Sequence, residues 1–485
     1  MIKKLNFKKI YLLLFLIFMF SIIFQSSKVQ AIETNENKDI NIVVLFNNNR
    51  IDTNVKNLIE NSGGKIKNIL SEVGCMEVKC NSNLISQIKS YNTVKSLGPN
   101  HNIQIPKEKT IKFKERINRG YKSTETNKDG DLYDLYQWDI KRMTNNGKSF
   151  QLNTGNHNVV IAVLDSGIDK DHPDLKNNLL GGENFIPKDF NNDKTEIGDP
   201  RDIEDRLGHG TCISGSIAGN GRIKGIAPNI GFKSYRVFDS RGHTNATIMS
   251  SAIIKATDDG ANVINLSMAG YDLKGKCYWT DPDTGVKHDL GDDMAEYELY
   301  KRAIQYALNH NVTVVTAAGN DGLDCCNTKS LTEFLNNRDK EDGFSYEGVT
   351  YEIPGSIDGV INVSATGKND KIATYSNYGK NFIDVAAPGG DHSKTESLDI
   401  NDMCLSTAIE GQYRFEVGTS IAAPKVSAIA GLLLCKNKNL TPKEVAEKIY
   451  ETCDILDNDE SKQYYGSGLA NAYNALEKIN KLIYT

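Results

Sequence analysis

The chain has 485 residues, a formal net charge of −5, 39% hydrophobic residues and 25% charged residues. This composition is typical of a soluble globular protein with room for two or three domains. The slightly acidic balance argues against a nucleic-acid partner, because surfaces that bind nucleic acids carry an excess of Lys and Arg.

Residues 1–31 have the pattern of an export signal. Lysines at the start precede an apolar run from Tyr11 to Phe24, and the segment ends in the small-residue sequence Val29-Gln30-Ala31. The run is nearly long enough to span a bilayer, so a retained anchor is the alternative, but the ending at Ala31 favours removal. The C-terminal sequence LEKINKLIYT has no hydrophobic tail. We therefore expect a secreted protein without stable membrane association after signal removal.

Residues 32–105 form a pattern of their own. The predicted elements are a strand at Asn41–Phe46, a helix at Thr53–Glu60, a strand pair within Lys65–Cys80, a helix at Ser82–Ser90 and a strand at Val94–Ile105. This order predicts a small α+β domain of split βαβ, ferredoxin-like topology. Residues 106–134 are rich in Lys, Arg, Thr, Asn and Gly, which predicts an exposed and cleavable linker.

Residues 135–485 alternate between apolar runs and helical patterns. The runs are Asn158–Leu164, Gly231–Phe238, Ala261–Ser267, Val312–Ala317, Val360–Ala365 and Ile383–Ala386, and the clearest helices are His209–Ala218, Thr247–Asp258 and Ala295–Asn309. Such alternation predicts an α/β fold with a central parallel sheet covered by helices on both sides. Sites in these sheets lie beyond the carboxyl ends of the strands, where Asp165 and Ser267 fall.

Three motifs indicate nucleophilic catalysis. VLDSGID contains Asp165, GHGT contains His209 and GTSIAAP contains Ser420. A serine hydroxyl needs a base, which His209 supplies, and Asp165 would hold the imidazole in the correct tautomer. Ser420 also starts a predicted helix with Pro424 in its first turn, so free backbone N–H groups would face a developing oxyanion. The chain order Asp, His, Ser is that of subtilisin.

On these motifs, and on AAGN at Ala317–Asn320, the chain from Gln137 to Thr485 resembles the subtilases. The resemblance implies a three-layer subtilisin-like catalytic domain, with Asn320 as a second oxyanion donor. It also implies that residues 32–105 are a propeptide, which acts as folding chaperone and inhibitor of a self-processing zymogen. An independent binding domain that stays attached is the alternative for this segment. A catalytically silent binding protein is the alternative for the whole chain.

The resemblance further implies two strands that flank an extended peptide substrate. Their residues are Gly242, His243 and Thr244 on one side, and Ser267, Met268, Ala269 and Gly270 on the other. The substrate backbone would add as a strand between them. The alternative for Gly242 to Thr244 is a plain loop, but its spacing to Ser267 agrees with the subtilisin pattern.

Two acidic residues predict the specificity of the enzyme. Asp321 follows Asn320 directly, and Glu352 matches the bottom or rim of the primary specificity pocket. Two carboxylates in one pocket would favour Arg or Lys before the cleaved bond. The alternative is that both are solvated surface acids, as acidic residues on loops usually are, and the insertion Gly322–Tyr351 bears on how Glu352 is aligned. The same preference predicts self-processing after one of the linker residues Arg116, Arg119 and Lys122.

We expect no metal cofactor. Asp174 matches a calcium-binding aspartate of many subtilisins, but the loop Asn220–Arg222 offers few oxygen ligands, so calcium is doubtful and Asp174 is expected to pair with Arg222. The nine cysteines show no zinc spacing, and we expect most of them to be buried as small hydrophobic residues.

Within the subtilases, the chain is most similar to the lantibiotic leader peptidases of the nisin and epidermin type. The similarity rests on Gln137–Phe150, on SYRVFDSRG, on VLDSGID and on the two acidic residues. It implies a lanthipeptide precursor as substrate, with a single cut commonly after arginine. A broader extracellular protease is the alternative.

Overall fold

The computed structural model describes residues 39–105, 110–113, 130–280, 285–292, 294–392, 399–456 and 462–483. The predicted export signal and the linker residues Arg116, Arg119 and Lys122 lie outside this part of the chain. Among the described residues one helix, Thr419–Lys436, is long and apolar enough to cross a membrane, and it is almost entirely buried within the protein.

An N-terminal domain contains one antiparallel sheet and two helices. Its elements are β1 (Asp39–Phe46), α1 (Thr53–Asn61), β2 (Lys65–Leu70), β3 (Cys75–Asn81), α2 (Asn83–Lys89) and β4 (Val94–Pro99). The strand order is β2-β3-β1-β4, and each neighbouring pair is antiparallel. The element order agrees with the prediction for residues 32–105, except that the last strand ends at Pro99. Ile103–Gln104 (β5) forms a separate strand that pairs with His243–Thr244.

The catalytic region contains a seven-stranded parallel sheet. Its strands are β7 (Val160–Asp165), β8 (Leu179–Asn184), β9 (Gly231–Arg236), β11 (Val263–Leu266), β14 (Thr313–Ala317), β16 (Ile361–Thr366) and β17 (Val385–Pro388). Their order is β17-β16-β14-β11-β7-β9-β8. Six of these strands match predicted apolar runs. The edge strand β8 was not predicted, because its sequence LLGGEN mixes glycines with half-exposed positions.

Helices cover both faces of this sheet. The helices that follow the N-terminal domain are α3 (Asp131–Tyr136), α4 (Trp138–Thr144), α5 (Ser149–Leu152), α6 (His209–Ala218), α7 (Ala246–Asp258), α8 (Met294–Asn309), α9 (Thr328–Asp339), α10 (Thr419–Lys436), α11 (Pro442–Tyr450), α12 (Lys462–Tyr465) and α13 (Ala472–Ile483). Alternate residues of β7 face opposite layers. Ile161 and Val163 belong to the core with α6 and α10, whereas Ala162 and Leu164 belong to the core with α7 and α8. The predicted three-layer α/β fold is confirmed.

The described residues also form two three-stranded sheets and a two-stranded sheet of β5 with β10 (His243–Thr244). The insertion sheet consists of β12 (Gly270–Thr280), β13 (Lys287–Asp292) and β15 (Phe344–Ile353), with α9 packed on it. The second sheet consists of β6 (Thr110–Lys112), β18 (Cys404–Ala408) and β19 (Gln412–Glu416). Short 3-10 helices occur at Asn47–Asn49, Ser71–Val73 and Phe190–Asn192.

The N-terminal domain packs against α7, α8 and the insertion sheet. Val43 and Leu45 on one face of β1 share a core with α7 and α8. Val44 and Phe46 on the other face belong to a core that contains α1, α2 and residues of the insertion sheet. Both faces of the small sheet are therefore buried.

Parts of the expected linker 106–134 are ordered against the catalytic region, which differs from an exposed segment. Ile111 of β6 pairs with Phe415 of β19. Leu132 in α3 is 2% exposed, and the Asp131 carboxylate makes a two-point ion pair with Arg222. The catalytic domain therefore begins structurally before residue 135. The alternating apolar residues of TIKF explain the strand, since every second side chain meets the protein.

Candidate functional site

Asp165 and His209 form a buried hydrogen-bonded pair. Asp165 ends β7, and His209 begins α6. The His209 Nδ1 atom lies 2.7 Å from Asp165 Oδ1, which also accepts the backbone N–H of Ser166 at 2.7 Å. A carboxylate on Nδ1 selects the tautomer that carries hydrogen there and leaves Nε2 able to take a proton. The geometry suits a general base.

Asp205 organises the start of α6, a role that was not predicted. Its carboxylate accepts the backbone N–H groups of Gly208 and Thr211, at 2.7 and 2.9 Å, and the Ser166 hydroxyl at 2.8 Å. Gly210 is required here, because a Cβ atom on it would lie 2.3 Å from the Gly167 carbonyl oxygen. The acid four residues before His209, ahead of a helix start, was the available sequence signal.

Ser420 lies in the first turn of α10, and every residue of that helix from Thr419 to Leu434 is buried. The Ser267 hydroxyl donates to the Ser420 carbonyl at 3.0 Å. Asn265 donates its amide to Ser267 Oγ at 2.9 Å and accepts the Ser427 hydroxyl at 2.8 Å. These bonds tie the start of α10 to the end of β11.

Asn320 is fixed beside Ser420 through Thr419. Its Oδ1 atom accepts the backbone N–H of Thr419 at 2.9 Å and the Thr419 hydroxyl at 2.8 Å. The Gly319 N–H donates to the same hydroxyl at 3.1 Å. With the oxygen held by Thr419, the orientation of the Asn320 amide donor is set. A preorganised donor next to the nucleophile is the chemistry of an oxyanion hole.

The expected substrate strand at Gly242, His243 and Thr244 is paired with the chain itself. His243–Thr244 forms β10, which is antiparallel to β5, and the Ile105 N–H donates to the Gly242 carbonyl at 2.8 Å. Gly242 has φ +85°, and a Cβ atom there would lie 2.6 Å from the Ile105 side chain. Glycine therefore allows an extended segment to approach this edge.

The second expected strand differs from the prediction. Ser267, Met268 and Ala269 lie between β11 and β12 rather than in a strand, and only Gly270 begins β12. Gly270 pairs with Ile353 of the insertion sheet. The Ser267 hydroxyl is turned to the Ser420 carbonyl, so this residue also positions the helix that carries the nucleophile.

Tyr271 connects the two predicted specificity residues. It lies opposite Glu352 in the β12–β15 ladder, and its hydroxyl donates to Asp321 Oδ2 at 2.6 Å. The Asn377 side chain donates to the Tyr271 oxygen at 2.9 Å and accepts the Asp321 N–H at 3.2 Å. Neither Tyr271 nor Asn377 was predicted, because each acts through partners distant in sequence.

Asp321 and Glu352 have different environments. Asp321 is exposed, whereas Glu352 is fully buried. Burial raises the pKa of the Glu352 carboxyl well above its usual range, the charge of Asp321 raises it further, and the backbone N–H groups of Gly355 and Ser356 partly oppose the shift. No described Lys, Arg or His forms an ion pair with Glu352.

Asp174 and Arg222, which were expected to pair, each have further partners in the structure. Asp174 Oδ2 accepts the backbone N–H of Ile223 at 3.0 Å and the Tyr413 hydroxyl at 3.2 Å. Arg222 binds Asp131, because α3 brings that carboxylate next to it. The part of the chain that the structure describes has no group of three His, Cys, Asp or Glu side chains placed to hold a metal.

Most cysteines are buried, as expected. Cys75, Cys80, Cys212, Cys277, Cys325 and Cys404 are buried, and Cys326 is exposed. Burial raises the pKa of the Cys212 and Cys404 thiols well above the usual range. Such thiols pack as small hydrophobic groups.

A buried Asp-His pair, a serine at a helix start and an oriented amide on a seven-stranded parallel sheet define a serine peptidase of subtilisin type. A family model described as the subtilase family matches residues 156–468, more than half of the chain. The chain belongs to the subtilase family.

Its relatives include two leader-processing enzymes. It is 33% identical over 413 residues to the epidermin leader peptide-processing serine protease EpiP of Staphylococcus epidermidis, covering 82% of this chain and 84% of that protein. It is 34% identical over 326 residues to the nisin leader peptide-processing serine protease NisP of Lactococcus lactis, covering 65% of this chain and 46% of NisP. The solved structure of EpiP from Staphylococcus aureus is 28% identical, with TM-score 0.75, covering 91% of this chain and 99% of that one.

Proposed function

We propose that the protein is a secreted endopeptidase, made as a self-processing zymogen, that removes the leader from a lanthipeptide precursor by cutting after Arg or Lys. The similarity to EpiP and NisP, which are leader peptide-processing serine proteases, supports leader removal. The observation that carries the specificity is the buried carboxyl of Glu352, which has no ion-pair partner among the described residues and lies near Asp321.

The zymogen proposal is supported by the way the N-terminal region meets the cleft. Ile103–Gln104 pairs with His243–Thr244 in the antiparallel arrangement expected for a bound peptide. While that edge is paired, a substrate strand cannot add to it. Removal of the N-terminal domain would therefore open the site.

The described segments that end at Ile105 and begin at Thr110 both lie beside the loop that precedes His209. The Leu207 side chain packs beside Gly242, where Ile105 is bound. The Leu207 carbonyl accepts a hydrogen bond from the Arg414 side chain, and Arg414 lies opposite Lys112 in the β19–β6 strand pair. We therefore place the self-processing bond between Ile105 and Thr110 rather than after Arg116, Arg119 or Lys122. The basic residues in that interval are Lys107 and Lys109.

N-terminal sequencing of the secreted protein tests this placement. Wild type is expected to begin between Lys107 and Thr110, and Ser420→Ala is expected to keep its N-terminal domain. Equal cleavage of both proteins would assign maturation to a second protease. A wild-type N-terminus beyond Arg116 would contradict the placement.

The preference for Arg or Lys before the cleaved bond would come from the charges of Glu352 and Asp321. Burying a carboxyl without a cation is unfavourable, and a substrate guanidinium or ammonium would supply the missing charge. The exposed carboxylate of Asp321 would add a second attraction at the entrance. A lanthipeptide leader that ends in Arg or Lys has the required chemistry.

The processed enzyme should be incubated with a modified lanthipeptide precursor whose leader ends in Arg, and with variants ending in Leu or Glu. Mass spectrometry should find one cut, at the end of the leader, in the Arg form. Casein serves as the comparison substrate. Rapid casein degradation at many bonds, with the precursor cut indiscriminately, would favour a broader extracellular protease. Failure of a fluorophosphonate to label Ser420 would indicate a catalytically inactive binding protein.

A further inference from the structure

His101 is held in a polar pocket two residues before β5. Its backbone N–H donates to Glu296 Oε1 at 2.8 Å, and its ring Nδ1 lies 2.6 Å from Glu296 Oε2. Glu296 is 5% exposed and lies in the first turn of α8. The Phe344 ring meets the imidazole edge to face, with ring centroids 5.2 Å apart. The pocket therefore joins the catalytic domain to the insertion sheet.

Both ring nitrogens of His101 face polar partners. The Tyr346 hydroxyl donates its single hydrogen to Asp339 Oδ2 at 2.8 Å, and its oxygen lies 3.4 Å from His101 Nε2. A carboxylate is an acceptor, so the hydrogen between Nδ1 and Glu296 comes from the ring. A donor that carries a positive charge would be held at the same place by the charge of Glu296.

The charged groups around the ring come from two helices, α8 and α9. Glu296 on α8 faces Nδ1, while Asp339 on α9 is reached through Tyr346 of β15. Arg338 pairs with Asp339 at 2.9 Å. Glu296 is therefore the carboxylate that faces the ring directly, whereas Asp339 already has a cationic partner.

The pocket lies in line with the substrate edge. From His101 the chain runs through Asn102, whose amide donates to Asn191 at 3.1 Å, to Ile103, which pairs with Thr244. An extended substrate on the same edge would follow the same path, since successive residues of a strand advance by about 3.3 Å. The substrate side chain two positions before the residue that pairs with Thr244 would therefore reach Glu296.

We infer that Glu296, Phe344 and Tyr346 form a distal subsite that binds a cationic side chain of the peptide substrate. The subsite takes the residue two positions upstream of the one that pairs with Thr244, and in the unprocessed chain His101 occupies it. The inference rests on the proposed endopeptidase function and adds a second basic determinant far from the cleaved bond. A substrate with Arg, Lys or protonated His at this position fits.

A peptide series tests the subsite. Fluorogenic peptides spanning residues 98–114 of this chain, with His, Arg, Ala or Glu at position 101, are cleaved by processed enzyme and kcat/KM is measured. Wild type is expected to prefer Arg over Ala by about tenfold, the value of a charge-assisted hydrogen bond. Glu296→Gln should bring this ratio close to one, and Tyr346→Phe should lower it.

Glu298→Gln is the matched control. Glu298 lies two residues further along α8 and pairs with Lys95 at 2.7 Å. This variant should keep the wild-type ratio. Equal cleavage of the Arg and Ala peptides by wild type would overturn the subsite, as would an unchanged ratio in Glu296→Gln. Cleavage of none of the four peptides would count against the proposed function.

A second measurement does not depend on cleavage. In the full-length Ser420→Ala chain, His101→Arg, His101→Ala and His101→Glu are compared by thermal unfolding of the N-terminal domain. Arg should preserve the midpoint, Ala should lower it and Glu should lower it most, because two carboxylates would then face each other. A midpoint that is the same for Arg and Glu would overturn the cation site.

Discussion

The Ser267 hydroxyl donates a hydrogen bond to the backbone carbonyl of Ser420, 3.0 Å away. The bond joins the end of a central strand to the residue that carries the nucleophile. Asn265 holds the same hydroxyl and also binds Ser427 one turn further along the helix. The nucleophile is therefore positioned by the sheet as well as by its own helix.

Replacing Asn265 with leucine should loosen this arrangement. The substitution leaves the buried hydroxyls of Ser267 and Ser427 without their shared partner, which costs about 1–3 kcal/mol for an unsatisfied buried group. The free energy of unfolding, measured with denaturant, and kcat should both fall. Ser250→Ala is the control, since the buried Ser250 hydroxyl has no hydrogen-bond partner among the described residues. Equal stability loss in both variants would contradict the network.

Asn320→Ala should lower kcat by roughly a hundred- to a thousand-fold while KM changes little, a magnitude taken from the corresponding asparagine of subtilisin itself. The amide would act only on the charge that develops in the transition state. Asn369→Ala, at an exposed turn, is the matched control. Steady-state kinetics on one peptide substrate measure the effect. Full turnover in Asn320→Ala would remove this residue from the oxyanion hole.

Lys425 and Asp139 form a fully buried ion pair that ties α10 to α4. The Lys425 Nζ atom lies 2.7 Å from Asp139 Oδ2 and also donates to the Pro388 carbonyl at 2.7 Å. Lys425→Met should lower the free energy of unfolding by about 3–5 kcal/mol, because Asp139 then stays buried without a cation. Adding Asp139→Leu should recover much of the loss. A double variant less stable than Lys425→Met would contradict this account.

The Glu352 carboxyl should make substrate preference depend on pH. Burial raises the pKa of this carboxyl well above its usual range, so it keeps its proton to a higher pH than an exposed Glu does. A bound cation favours the charged form, so binding of an Arg substrate releases a proton and strengthens as pH rises through that pKa. The ratio of kcat/KM for Arg over Leu substrates should rise with pH. His209 ionisation cancels in this ratio, and in Glu352→Gln the ratio should be flat.

The raised pKa of Glu352 also makes the stability of the folded protein depend on pH. A carboxyl whose folded pKa is raised contributes stability below the unfolded pKa, about 4.3 for Glu, and loses it as pH rises through the folded pKa. Glu352→Gln should therefore flatten part of the pH dependence of unfolding above that value. Unchanged pH curves for both preference and stability would contradict the assigned environment of Glu352.

Much of the fold and of the triad could be predicted because the signals are local. Buried parallel strands appear as continuous apolar runs, and Asp165, His209 and Ser420 lie in short motifs. The edge strand β8 was missed because its residues are half exposed. The strand at Thr110–Lys112 was missed because its polar neighbours mask the alternation of Ile111 and Phe113.

The surroundings of the site could not be predicted, because they depend on partners distant in sequence. Tyr271 reaches Asp321 only after β12 and β15 have paired. The ion pair of Asp131 with Arg222 was not predicted, because it forms only when α3 packs beside the Asn220–Arg222 loop. Contacts of this kind are set by tertiary packing rather than by local pattern.

The most direct test of the account is the preference for the residue before the cleaved bond. Processed wild type and Glu352→Gln should be compared on peptides that differ only in Arg, Lys, Leu or Glu at this position. The account predicts that wild type favours Arg and Lys over Leu by at least about tenfold, or about 1.4 kcal/mol, and that Glu352→Gln loses most of this preference. A wild-type preference for Leu or Glu would contradict it.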